Sequence, residues 1–259
     1  MKTGILLIAI GNPIYIRMAA NLAISIRAND PTIAIALVHD DSIGYINELH
    51  KTLFNYLIPT QETNAFKLKL DINKLTVFDK TLYLDADMVN CKGFKISDIL
   101  SNFKQPFVIA NRGIILHNDW ETITEPKLNV SGEFIYFEKS PITTKIFNDA
   151  RKHYDTPYNG RTIGGYRPEE PSIVYAIEKN KYTLEQMPYY PTFWDGNTKA
   201  YVSDRDIKQG YAFLSMGGNK LNTRIQQLYD SIMKHYSCIM YLDVYKHQNK
   251  NTTPLRKII

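Results

Sequence analysis

The residues best suited to chemistry in this chain are two carboxylates one residue apart at the end of an apolar run, Thr81-Leu-Tyr-Leu-Asp-Ala-Asp-Met-Val89. In an extended backbone, residues i and i+2 project to the same face, so Asp85 and Asp87 point one way and Ala86 points back. A pair of hard oxygen ligands at the end of a buried strand can hold Mg²⁺ or Mn²⁺, which commonly bridges to phosphate oxygens. Such chemistry suits binding a sugar diphosphonucleotide and helping its diphosphate depart. The bare pattern is common, since sixteen Asp in 259 residues give roughly one Asp-x-Asp by chance. A second copy, Asp204-Arg-Asp206, follows Tyr201-Val-Ser and has Lys208 just beyond it, which reads as a solvated turn. Only the first copy has an apolar strand before it.

The elements that must position this pair alternate along the chain. Gly4 to Ile10 is a continuous apolar run, as expected of a central parallel strand covered on both faces. Pro13 to Asn29 has helical spacing, and Thr32 to His39 is a second apolar strand. Residues 42–56 predict a helix, and Phe66 to Leu75 a helix or turn ahead of the Thr81–Leu84 strand. This order predicts an α/β domain with a mostly parallel central sheet flanked by helices. Further on, Phe107–Ala110 and Glu133–Phe137 read as strands. A helix over 140–154 starts at Ser140-Pro141, and a second runs from Glu170 to Asn180. The Gly, Tyr, Arg and Pro residues of Tyr154–Tyr166 suggest a mobile loop near a ligand. Residues 188–218 predict short strands, and Leu221 to Tyr236 a final amphipathic helix. One domain over 1–246 and a frayed polar tail over 247–259 are expected.

Composition narrows the classes. At 44% hydrophobic and 22% charged residues, the chain is an ordinary globular one. A net charge of +5 suits anionic nucleotides and equally a solvated lysine-rich surface. The two cysteines, Cys91 and Cys238, have no metal or redox spacing and read as free thiols in a reducing compartment. No apolar run reaches the ~18 residues that cross a bilayer, and Gly11-Asn-Pro interrupts the apolar start without a cleavage site. A cytoplasmic protein is expected. Neither Gly-x-Gly-x-x-Gly nor a Walker sequence follows the first strand.

With these residues in place, the chain resembles the retaining glycosyltransferases of the GT-A fold known as family 8, the glycogenin and galactosyltransferase group. Phe78-Asp-Lys-Thr-Leu-Tyr-Leu-Asp-Ala-Asp-Met88 looks like that family's metal-binding segment. Gly11-Asn-Pro-Ile-Tyr15 lies where the family has Thr-Asn-x-x-Tyr around the uracil and ribose; Asn12 and Tyr15 match, Gly11 and Pro13 depart. Lys69, sixteen residues before Asp85, has the spacing at which the family carries a Lys or Arg near the nucleotide. Val130-Ser-Gly132 resembles an Asn-Ser-Gly segment lining the sugar site, with Val130 in place of the Asn. Pro168-Glu-Glu-Pro171 occupies the place of an Asp-Gln pair. Phe213-Leu-Ser-Met-Gly-Gly-Asn-Lys220 resembles His-x-x-Gly-x-x-Lys, with Leu214 where the third metal ligand, a His, stands in the family. The likeness spans most of residues 4–220 and is most specific at 67–90.

The resemblance implies a metal-assisted transfer of a sugar from a nucleotide-sugar donor, by analogy a UDP-sugar, with retention at the anomeric carbon. Asp85 and Asp87 are its expected ligands for Mn²⁺ or Mg²⁺. Gly11, Asn12, Tyr15, Lys69, Ala86, Ser131, Gly132, Gly217 and Lys220 are its expected nucleotide-sugar contacts, and Glu169 or Glu170 its catalytic carboxylate. Each residue also has a plain alternative: Asn12 as a turn residue, Glu169 and Glu170 as complements to a helix dipole, Lys69 and Lys220 as surface lysines. His39, at a strand end, is the one histidine to watch. The acceptor is open among glycan, lipid, protein and modified nucleobase. Leu214 and Val130 favour an alternative, a catalytically degenerate nucleotide-sugar binding protein. A haloacid-dehalogenase-type phosphatase also reads apolar strand, Asp-x-Asp, but near the N-terminus and followed by Gly-Thr rather than Met88-Val.

Overall fold

The computed structural model describes residues 1–41, 52–90, 94–115 and 127–185, together with the short backbone strands Phe193–Trp194, Phe213–Ser215, Met240–Leu242 and Leu255–Lys257. Strand β1 (Thr3–Ala9) is buried from Gly4 onward, so its unbroken apolar run meets protein on both faces. Asn12 caps α1 (Pro13–Asn29): its Oδ1 accepts from the Ile14 amide at 3.0 Å, and Pro13 sits where no amide is needed. Ala19, Ala20 and Ala23 on α1 are buried in the core, where small side chains permit close approach to the sheet. Strand β2 (Ala34–His39) pairs parallel to β1, and β3 (Tyr56–Pro59) pairs parallel to β2.

Two short helices, α2 (Ala65–Lys69) and α3 (Ile72–Leu75), lead into β4 (Lys80–Asp85), which pairs parallel to β1 on its other side. There follow β5 (Met88–Asn90), α4 (Ile96–Asn102), β6 (Phe107–Ile115), β7 (Lys127–Glu138), α5 (Pro141–Tyr154) and α6 (Glu170–Lys179). The six-stranded sheet has the order β3-β2-β1-β4-β7-β6, with β7 antiparallel to β4 and β6 antiparallel to β7. The mostly parallel α/β sheet expected from the sequence is therefore present. Its two faces carry separate apolar layers. Leu82, Leu84 and Ala86 pack with α1 and α4, whereas Tyr83, Phe107, Ile135 and Phe137 pack with α5 and α6. Among the described residues no helix is long and apolar enough to cross a membrane.

The structure departs from the sequence pattern in several places. Where a helix is predicted over 42–56, Tyr56 opens β3, and residues 42–51 lie outside the described residues. Helix α4 and strand β5 are additions, and β6 and β7 outrun the spans the pattern predicts. A second sheet joins β5 to β8 (Phe193–Trp194) and β9 (Phe213–Ser215) in the order β5-β9-β8. Strand β10 (Met240–Leu242) pairs antiparallel with β11 (Leu255–Lys257). Leu255–Lys257 falls within the expected tail over 247–259, the rest of which lies outside the described residues. The predicted helix over Leu221–Tyr236, Cys91, Cys238, and Asp204 with Asp206 lie outside the described residues.

Candidate functional site

The chain leaves β1 toward β2 on one side and returns through β4 on the other, so a crevice opens beyond the carboxyl ends of β1 and β4. In open α/β sheets this change of direction is where ligands bind. Asp85, the last residue of β4, pairs with Ile8 near the end of β1. Gly11 lies just past β1 with φ of 79°, a conformation that suits glycine. Its amide donates to the Asp40 carboxylate at 2.6 Å, tying the β1–α1 loop to the end of β2. Gly11 and Asn12 are exposed at this mouth, although the Asn12 side chain is already used as the α1 cap. Tyr15 stands half-buried in the first turn of α1. Burial, then the charges of Asp87 and Asp85, push its hydroxyl pKa up.

Ala86 is buried and packs with α1, while Asp85 and Asp87 are part-exposed; the expected strand alternation stops at Asp85, because Ala86 and Asp87 form a turn between β4 and β5. Asp85 is densely engaged. The Tyr83 hydroxyl donates to its Oδ1 at 2.5 Å, and Lys69 Nζ lies 2.9 Å from Oδ1 and 3.1 Å from Oδ2. Tyr83 lies two residues before Asp85 and so shares its face of β4. Lys69 Nζ also sits 2.8 Å from Glu169 Oε1. Burial alone would lower the Lys69 amine. Asp85 and then Glu169 outweigh it and hold the pKa well above the usual lysine value. Lys69 is thus a buried, fixed positive charge rather than a surface lysine.

Glu169 and Glu170 begin α6 on opposite terms. Glu169 is 0% exposed; burial raises its pKa against the pull of Lys69, and Oε2 has no hydrogen-bond partner among the described residues. Glu170 is half-buried, its Oε1 3.5 Å from the Gly132 amide, and burial with the Glu169 charge pushes its pKa up to about 8. Glu169 provides no capping hydrogen bond to α6, so capping does not account for its burial. Gly132 lies in a register shift of β7, where Ala110 pairs with Ser131 and Ile109 with Ile135. Such bulges recur beside functional sites. A Cβ on Gly132 would stand 2.1 Å from Glu169 Oε1 and 2.9 Å from its Cδ. The glycine is what lets Glu169 reach Lys69.

The structure therefore brings together Tyr15, Lys69, Asp85, Asp87, Gly132, Glu169 and Glu170, with Ala86 beneath and Ser131 adjoining. Gly217 and Lys220 lie outside the described residues. Position 214 pairs with Val89 through the β5–β9 ladder, two residues beyond Asp87, so the backbone expected to carry a third ligand does approach the site. Among the described residues no three His, Cys, Asp or Glu side chains gather closely enough to hold a metal. Asp85 and Asp87, both part-exposed, are the hard oxygen donors that a divalent cation would need there. His39 instead places Nδ1 2.8 Å from the Asp40 carbonyl. Tyr83 and Asp40 were missed as site residues. The i, i+2 spacing of Tyr83 and Asp85 is a signal that could have found the first.

The Tyr154–Tyr166 segment leads into this site. Its start is held by Arg167, whose guanidinium donates to the carbonyls of His153, Tyr154 and Thr156 at 2.9, 3.0 and 3.1 Å and lies 4.6 Å from the Tyr158 ring centroid. Near its end, Gly164 and Gly165 at φ of 57° and 87° form the two-residue turn that closes the Ile163–Tyr166 bridge.

No protein-family model matches the chain, and no curated protein matches it in sequence. Solved structures do. WbbM, a bifunctional glycosyltransferase, superposes with a TM-score of 0.57 at 14% identity over 91% of this chain, which spans 50% of WbbM's length. The galactosyltransferase LgtC, solved with donor and acceptor sugar analogs, gives 0.53 at 12% identity over 88% of this chain and 96% of its own. Mouse xyloside xylosyltransferase 1 gives 0.50 at 10% identity over 83% and 97%. The fold is GT-A. At these identities the likeness carries the fold and not the chemistry.

Two expected results arise from the geometry of this GT-A crevice. Gly132→Ala is expected to lower stability by about 1–3 kcal/mol, because the added methyl meets a buried carboxylate that packing holds in place. Urea unfolding checks it; a loss under 0.5 kcal/mol would show that Glu169 can move aside. The second concerns pH. A carboxyl raised from 4.5 to about 8 on folding stays protonated in the folded chain while the unfolded chain releases the proton. Stability then falls as pH rises from 4.5 to 8 and levels off above. Glu170→Gln is expected to flatten that slope, leaving the variant more stable than wild type at pH 9 and similar at pH 4.5.

Proposed function

We propose that the chain is a glycosyltransferase that moves a sugar from a nucleotide-sugar donor, a UDP-sugar first, with Mg²⁺ or Mn²⁺ shared between Asp85, Asp87 and the donor diphosphate. The observation that carries this reading is the convergence of Asp85, Lys69 and Glu169 at the carboxyl ends of β1 and β4 in a GT-A fold. When bound, the cation supplies Lewis-acid stabilisation of the charge that grows on the leaving diphosphate. The chain's own residues do the rest. Gly11 to Tyr15 offer the base and ribose a loop fixed by Asp40, and Lys69 adds a buried positive charge near the diphosphate. Glu169 holds Lys69 in place. Glu169 or Glu170 is the carboxylate that would steady positive charge developing at the anomeric carbon, Glu170 doing so in its ionised form, above its folded pKa of about 8. Retention and a hexosyl donor follow from the family resemblance, and the acceptor stays open among glycan, lipid, protein and modified nucleobase.

A screen of UDP- and GDP-sugars with Mn²⁺ by thermal unfolding, followed by an assay for sugar release, tests the proposal. Ligand at a hundred times its dissociation constant stabilises by about 2.7 kcal/mol, a rise of roughly 5–10 °C for a chain of this size. Stabilisation with release or transfer of the sugar supports the enzyme. Stabilisation without either favours the second reading, a nucleotide-sugar binding protein, for which the Leu214 and Val130 replacements speak. No stabilisation by any donor contradicts both.

A further inference from the structure

Asp85 meets two demands that conflict. As a cation ligand it must present a carboxylate to a doubly charged ion, yet both of its oxygens are already within 3.1 Å of the Lys69 ammonium, and Oδ1 accepts the Tyr83 hydroxyl as well. A dication ligated there would lie about 4–5 Å from a fixed positive charge, a separation at which repulsion stays strong even at the effective dielectric of a protein. Lys69 has no easy exit. It is 7% exposed, and its second partner, Glu169 at 2.8 Å, is wholly buried. Were Lys69 to swing into solvent, it would strand that carboxylate without a countercharge.

We propose that Lys69 is a resident counter-ion that keeps divalent cations off Asp85 until a diphosphate enters the crevice. The inference rests on the donor site proposed above and deepens it. Glu169 is the tether: it fixes the ammonium beside Asp85 in the free protein. A diphosphate changes the balance, because its oxygens offer Lys69 a replacement partner and the cation further ligands. Cation and nucleotide then bind with positive coupling, each raising the affinity of the other by the same factor. The arrangement keeps Asp85 from taking up free cations unproductively. Glu169 and Lys69 are positioning residues in this scheme, acting through Asp85. The absence of a third side-chain ligand at position 214 would also weaken cation binding, but it predicts no dependence on Lys69.

Mn²⁺ alone, titrated calorimetrically into wild type, Lys69→Met and the double variant Lys69→Met with Glu169→Gln, separates these causes; each titration is repeated with UDP present. The double variant is included because the single one leaves Glu169 buried and unpaired and can fail to fold. Mn²⁺ is expected to bind the foldable Lys69 variant at least tenfold tighter than wild type when nucleotide is absent. UDP is expected to tighten Mn²⁺ at least tenfold in wild type and by a clearly smaller factor in the variant, where only the added phosphate ligands contribute. Equal Mn²⁺ affinities in wild type and variant, with UDP still tightening both, would overturn the counter-ion role and leave the cation site standing. Tight Mn²⁺ binding to wild type without UDP would overturn it from the wild-type data alone. If wild type binds no Mn²⁺ even with UDP, the shared-cation reading of the donor site fails and this inference fails with it.

Discussion

Lys69→Met is expected to cost about 3–5 kcal/mol of folding stability, the usual penalty for removing one partner of a buried ion pair. Methionine matches the length and most of the volume of the lysine, so packing is nearly preserved. What is lost is the charge that faces Asp85 and the fully buried Glu169 at 2.9 and 2.8 Å. Asp85 keeps the Tyr83 hydroxyl and some solvent; Glu169 keeps neither. Adding Glu169→Gln is therefore expected to recover more than half of the loss, because a neutral amide tolerates burial better than an unpaired carboxylate. Denaturant unfolding of the single and double variants measures the coupling. A single-variant loss below 1 kcal/mol would mean that Glu169 simply takes up a proton, and that the lysine contributes little to the fold.

The second large effect is on ligand binding. Asp85→Asn with Asp87→Asn is expected to weaken UDP-sugar binding in the presence of Mn²⁺ by roughly a hundredfold, about 2.7 kcal/mol. Coordination needs ionised oxygens, and an amide offers a weak neutral ligand in their place. Asp87→Asn alone is the cleaner variant, because Asp85→Asn also strips Lys69 of a partner and so mixes stability with binding. Asp204→Asn with Asp206→Asn, the other Asp-x-Asp, serves as the control and is expected to change affinity less than twofold. Equal loss in both pairs would remove the special standing of the strand-end carboxylates.

The parts of this fold legible from sequence are those where local chemistry and burial agree. Helix α1 begins where Asn12-Pro13 announces it, since a cap acceptor and a residue without an amide are both found there. Helix α5 begins likewise at Ser140-Pro141, with the Ser140 hydroxyl accepting from the Thr143 amide. Strand β3 was not legible. It is four residues long at the sheet edge, with alternate residues exposed, and the chain before it has helical spacing. Helix α4 has seven residues and no capping side chain at Lys95, so nothing local marks its start. The full reach of β7 was hidden because the shift at Ser131–Gly132 breaks its alternation.

The site divides in the same way. The strand-end position of Asp85 comes from the apolar run itself, whereas the turn at Ala86–Asp87 that carries the second carboxylate does not. That Lys69 lies beside Asp85 rather than in solvent does not. The contact is made by tertiary packing of α2 against the sheet end, and spacing along the chain only hinted at it. That Glu169 rather than Glu170 is the buried member could not be told from two identical neighbours. The choice is made by Gly132 on a distant strand, whose missing side chain leaves the space that the Glu169 carboxylate fills.

The central claim, that a nucleotide diphosphate and a divalent cation meet at the carboxyl ends of β1 and β4, is tested most directly by crystals grown with UDP and Mn²⁺ and measured near the manganese absorption edge. The account predicts one anomalous peak at the end of β4. It would lie at about 2.0–2.6 Å from oxygens of Asp85 and Asp87 and of the diphosphate, the range for hard cations on oxygen. The uridine would lie beside Gly11, Asn12 and Tyr15, with Lys69 turned toward phosphate. An anomalous peak elsewhere, or UDP bound away from this crevice with Asp85 still clasped by Lys69, would contradict it.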